Sequence, residues 1–127
     1  MAALLLVGFA VLVIRCRLRQ RVVIGDGGDD LMIRHMRAHA NFAEYAPLIL
    51  ILLLTLDLLG TNAAILHGLG SAFIIGRISH FYSLTVVEPK TIKGGNMNIK
   101  FRQFGMMLTF FVIVTAVILL LVNYFRT

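Results

Sequence analysis

Apolar residues in this chain come in long blocks rather than in alternation with polar ones. Met1 to Ile14 is uncharged, Ala46 to Leu56 is a dense apolar run, Leu58 to Gly76 holds no Asp, Glu, Lys or Arg, and Gln103 to Phe125 carries no charge. Blocks of this kind suit a bilayer, whose hydrocarbon thickness asks for about 20 apolar residues per helix. Four spans are predicted, over residues 1–22, 31–58, 63–86 and 102–125. The first block is short by itself. Arg15, Arg17, Arg19 and Arg21 extend it, because long basic side chains lay their stems along lipid and keep their heads in water.

The segments between the blocks read as turns. Gly25-Asp26-Gly27-Gly28-Asp29-Asp30 is an acidic turn, after which an aspartate caps a helix starting near Asp30 or Leu31. Pro47 falls inside the second block and predicts a kink, which neighbouring helices can accommodate. Gly60-Thr61-Asn62 makes a tight turn, and Gly68, Gly70, Ser71 and Gly76 offer close helix approach in the third span. Residues 88–100, rich in Lys, Gly and Asn and containing Pro89, are predicted to be a loop.

Composition agrees with lipid as solvent. In 127 residues, 59% are hydrophobic and 14% charged, more apolar surface than one small domain can bury. The net charge of +6 does not argue for nucleic acid, because basic residues of membrane proteins collect in cytoplasmic loops. Arg15, Arg17, Arg19 and Arg21 fall in one loop region and Lys90, Lys93, Lys100 and Arg102 in another. Four spans put both on one side, so both termini are expected outside, with the first helix retained rather than cleaved. Cys16 is single, which rules out an internal disulfide or a thiolate cluster. His35 and His39 have helical metal-pair spacing but no third ligand, and no metal is expected.

One stretch breaks the apolar pattern. Arg34, Arg37, Asn41 and Glu44 are spaced by three, four and three, which gathers them within roughly 80° of a helix surface. Each ionisable group facing lipid costs on the order of 3 kcal/mol, so this face must meet a bundle or a wet cavity and find partners. Glu44 is expected to accept from Arg37 or from Arg77 of the third helix, which lies one turn from His80. Two interpretations stay open: a structural polar network, or a site for an anionic ligand entering from the cytoplasm.

The motif Arg34-x-x-Arg37-Ala38-x-x-Asn41-x-x-Glu44-Tyr45-x-Pro47 resembles the MAPEG family, the membrane-associated proteins of eicosanoid and glutathione metabolism. The likeness continues through Gly76-Arg77-x-x-His80, Arg102 and Gly105-Met106-x-Leu108-Thr109, and covers essentially the whole chain. It implies an all-α membrane protein, a four-transmembrane-helix bundle over residues 1–127 assembled as a homotrimer, with glutathione bound between subunits near the cytoplasmic face. By the same resemblance Arg34, Arg37, Asn41, Glu44, Tyr45, Arg77 and His80 bind glutathione, with Glu44 taking its ammonium and His39 lining the same region. Arg102 matches the arginine that activates the thiol, whose thiolate then attacks a lipophilic electrophile from the bilayer.

Departures from the pattern narrow the substrate. Leu84 stands where the eicosanoid enzymes have a tyrosine, Tyr82 is off that register, and residue 40 is alanine where a prostaglandin-forming member has arginine. The expectation is a bacterial-type, glutathione-transferase-like protein of the inner membrane. Its rivals are a non-catalytic glutathione- or lipid-binding scaffold and a small proton-coupled exporter. Exporters of that kind carry their glutamate in the first helix, without an arginine stripe, and are rich in the Trp absent here.

Overall fold

A computed structural model describes residues 1–126. The chain is helical throughout: α1 (Ala2–Gln20), α2 (Asp30–Leu58), α3 (Ala63–Tyr82), a π turn (Ser83–Val87), the short α4 (Glu88–Lys93) and α5 (Lys100–Tyr124).

The helix ends follow local chemistry. Arg21 enters the left-handed region (φ 56°) and the Val22 amide turns back to the Arg17 carbonyl at 3.1 Å, which closes α1. Arg17 also donates to the Gly25 carbonyl at 2.9 Å and pins the acidic turn. Asp29 caps α2 by accepting from the Met32 amide at 2.6 Å, and that bond holds its carboxyl below the ordinary 3.8. The cap is thus one residue earlier than the helix start at Asp30. Asn62 caps α3 from the Ala64 amide at 2.8 Å. Pro47 sits in α2 without interrupting it.

One predicted loop is partly helix. Residues 88–100 contain α4, and only 94–99 are irregular. The proline that suggested a break is accommodated by the π turn. The Glu88 amide donates five residues back to the Ser83 carbonyl, and the widened turn admits Pro89 near the start of α4, where a missing N–H is tolerated.

Phe9 of α1 stacks on Phe81 with centroids 4.2 Å apart and meets Phe42 of α2 edge-on at 5.5 Å. Below them Ile49, Leu56, Leu69, Phe73, Val112 and Ala116 complete a core shared by α2, α3 and α5. α3 and α5 touch backbone to backbone. A Cβ on Gly76 would lie 2.9 Å from the Gly105 carbonyl oxygen, and one on Gly105 would strike the Gly76 carbonyl and stand 3.0 Å from His80. Among the glycines of α3, Gly76 makes the close approach; a Cβ on Gly68 would meet nothing within 4 Å.

α2 and α5 are long and apolar enough to cross a membrane by length and composition. α1 ends in arginines. α3 carries Arg77 and His80, and both are buried inside the bundle, where a polar group escapes lipid. The outward faces of α2 and α5 are apolar, with Ile51, Leu54, Phe111 and Val114 all exposed.

Candidate functional site

Arg37 and Asn41 of α2, His80 of α3, Leu84 of the π turn and Arg102 of α5 line a cavity of about 230 Å³. Residues 65 positions apart in sequence meet there because the Gly76–Gly105 contact draws the start of α5 against the end of α3. Two larger hollows, of about 460 and 520 Å³, are lined mainly by aliphatic side chains and gather no ionisable cluster.

Beneath the cavity floor lies Arg77, 2% exposed. Its Nη1 donates to Asn41 Oδ1. Its Nη2 reaches the Gly105 carbonyl at 3.0 Å and Thr109 Oγ1 at 2.5 Å, and Thr109 itself donates to that carbonyl at 2.9 Å. The Tyr45 ring centroid stands 5.6 Å from the guanidinium carbon, so a π face also meets the charge. Every acceptor is neutral, and among the described residues no carboxylate pairs with Arg77. The pairing expected between Glu44 and Arg77 is therefore not formed. Arg77 instead ties α2, α3 and α5 together through dipoles.

Glu44 does not pair with Arg37 either. Both side chains are exposed on the outer surface of the chain, and among the described residues neither has an ion-pair partner. The two turns of helix between them exceed the reach of neighbouring-turn pairs. Tyr45 is half-buried, its ring edge-on to Phe110 at 6.1 Å.

The acid that organises the cluster is one the sequence placed in a loop. Glu88, 3% exposed, accepts from Arg34 Nη1 at 3.0 Å and from Arg102 Nη1 at 3.3 Å through the same oxygen, Oε2. Its other oxygen accepts from Ser83 Oγ at 3.2 Å. Arg34 leans away from the cavity and also contacts Asp30 at 3.5 Å. Arg34 lines a neighbouring hollow of about 350 Å³ with Asp29, Asp30 and Lys93. Of the residues expected to bind a ligand, Arg37, Asn41, His80 and Arg102 share one cavity. Arg34, Glu44, Tyr45 and Arg77 surround it at one remove. The signal that could have exposed Glu88 was its being an acid one turn beyond Leu84, on the side of the helix that already held His80 and Arg77.

The arrangement presents guanidinium groups to a small anion without a full set of opposing acids. Arg37 is uncommitted, and the Arg102 side chain is 38% exposed despite its pair. Planar guanidinium forks recognise carboxylates, and nearby positive charge favours thiolate over thiol.

Comparison with known proteins agrees with the pattern. A profile of the MAPEG family matches residues 1–122. Two curated relatives, each named inner membrane protein YecN, come from Escherichia coli strain K12 and from Escherichia coli O6:H1 strain CFT073. Each is 35% identical over 82 residues, 65% of this chain and 63% of the relative. The chain thus matches less than two thirds of their length. No solved structure matches.

Proposed function

This chain belongs to the MAPEG family of membrane proteins, and from that premise we propose that it binds glutathione at the cytoplasmic face of a bacterial inner membrane. The observation that carries this is the cavity where Arg37, Asn41, His80 and Arg102 converge. Glutathione brings two carboxylates, one ammonium and a thiol, and the cluster offers forks for the carboxylates and positive charge for the thiol. At about 230 Å³ the cavity accommodates part of a tripeptide, which suits a site completed by a neighbouring subunit. Arg37 and Glu44 point out of the chain at the depth where a second copy would meet them. The whole chain acts as one domain of four spans, and three copies form the unit, with Glu44 of one copy available to the ammonium of glutathione held by the next.

In this arrangement Arg102 stabilises the thiolate. The thiolate sulfur attacks a lipophilic electrophile from the bilayer, a carbon–sulfur bond forms, the leaving group departs and the thiol proton passes to solvent. A second reading, binding without turnover, is favoured by one contact: Arg102 is already engaged by Glu88 at 3.3 Å. Glutathione titration into detergent-purified protein, followed by conjugation of 1-chloro-2,4-dinitrobenzene, separates the two. Saturable binding with chloride release is expected for the transferase, and binding alone for the scaffold. Absence of binding rejects both and returns the exporter, for which a Glu44-dependent proton current in vesicles is the measurement. Cross-linking in mild detergent should stop at three copies.

A further inference from the structure

Glu88 accounts for none of the ligand contacts proposed above, yet it is the most buried carboxylate beside the cavity and holds two of the arginines. Its bonds are unequal. Ser83 occupies Oε1, so Arg34 and Arg102 divide Oε2. Arg34 has the shorter contact, 3.0 Å against 3.3 Å, and the more enclosed side chain, 16% exposed against 38%. Should Arg102 leave, Glu88 would still be paired with Arg34 and bonded to Ser83, so no buried charge would be stranded. Should Arg34 leave, only the more exposed partner would remain. Arg102 is thus the member free to move, and it is the one that also lines the cavity.

We infer that Glu88 is a positioning residue that parks Arg102: the guanidinium divides its time between the shared Glu88 oxygen and an anion in the cavity. Glu88 thereby sets how much positive charge an incoming anion meets and selects against ligands too weakly anionic to draw Arg102 away. Arg34 tunes the same balance from outside the cavity, because it competes with Arg102 for one oxygen. The inference rests on the anion-binding reading only for the identity of the ligand. The parking itself is a property of the free protein.

The test uses full-length protein in detergent micelles and two readouts. The first is the rate at which phenylglyoxal modifies Arg102, followed by peptide mass mapping without added ligand. Glu88→Gln keeps the size of the side chain and a carbonyl acceptor but removes the charge, so Arg102 should be modified several-fold faster. Arg34→Gln removes the competitor for Oε2, so Arg102 should be held more firmly and modified more slowly. The opposed signs separate parking from a loosening of the fold, which would accelerate both, and Arg34→Gln alone decides the matter if Glu88→Gln does not fold. An unchanged rate in either variant, or acceleration in Arg34→Gln, overturns the inference. The second readout is glutathione affinity, which Glu88→Gln should raise several-fold; a folded Glu88→Gln protein that binds more weakly also overturns it. If wild-type protein binds no glutathione, the ligand assignment fails, while the modification rates still decide the role of Glu88.

Discussion

Arg77 and Arg102 place the same side chain in two settings at the cytoplasmic end of the bundle. Arg77 is 2% exposed and gives its bonds to an asparagine, a hydroxyl and a backbone carbonyl on two other helices. Arg102 stands at the cavity edge and touches half of a shared carboxylate oxygen. Burial decides what each can do. A guanidinium taken out of water needs its donors satisfied, and once they are satisfied by fixed groups it cannot be lent to a ligand. A half-exposed guanidinium with one long contact keeps donors in reserve. The contrast separates the arginine that builds the site from the one that acts in it.

The strongest way to break this contrast is Arg77→Ala. It removes bonds to three groups and leaves Asn41 and Thr109 facing a void, so stability in detergent should fall by about 3–4 kcal/mol. A thermal midpoint equal to wild type would mean that Arg77 is not the cross-link described. Gly105→Ala attacks the same junction from the backbone. Its new methyl meets the Gly76 carbonyl and His80, and a loss of about 2 kcal/mol should appear in the same melt.

Arg102→Ala sharpens the comparison from the other side. Its partly exposed ion pair is worth about 1 kcal/mol or less, so the melting midpoint should barely move. Turnover with 1-chloro-2,4-dinitrobenzene should fall at least about tenfold, as for loss of one donor to a developing anion. Arg37→Ala should instead weaken glutathione binding about tenfold, equivalent to about 1.4 kcal/mol, with a smaller change in saturated turnover. If the two variants exchange these phenotypes, their roles are exchanged.

The smallest effect belongs to Asp29, far from both arginines. Its folded pKa is depressed by the Met32 amide, so the cap stabilises α2 above the ordinary value of 3.8 and loses that contribution as pH falls through the folded value. Asp29→Ala should lower the midpoint slightly at neutral pH, and the difference from wild type should shrink in acid.

Much of this was legible from residue order. Uncharged blocks located the four long helices, and the spacing of Arg34, Arg37, Asn41 and Glu44 identified a polar face before any coordinates. What spacing could not supply was the environment of each member. The stripe is wide enough for Asn41 to turn toward Arg77 while Arg37 and Glu44 face outward, and a difference of one side chain's width is invisible in a helical wheel. Glu88 was hidden for another reason. Pro89 argues for a helix end, and only the wide hydrogen-bonded turn ahead of it lets the helix continue with Glu88 inside. Gly105 belonged to a recognisable motif, but its purpose appears only when Gly76 stands opposite.

The π turn at Ser83–Val87 also bears on how such a site is inherited. A π turn is an α-helix carrying one surplus residue, so loss of a single codon within it would restore ordinary winding and rotate everything downstream by about 100°. Glu88 would swing off its arginines and the cavity would lose its acid in one mutational step. Pro89 makes that step costly, because in the tightened turn its ring would run into the preceding carbonyl. An imino acid that makes no contact with the cavity thus works as a ratchet in descent, retaining the extra residue on which the charge pattern of the site depends.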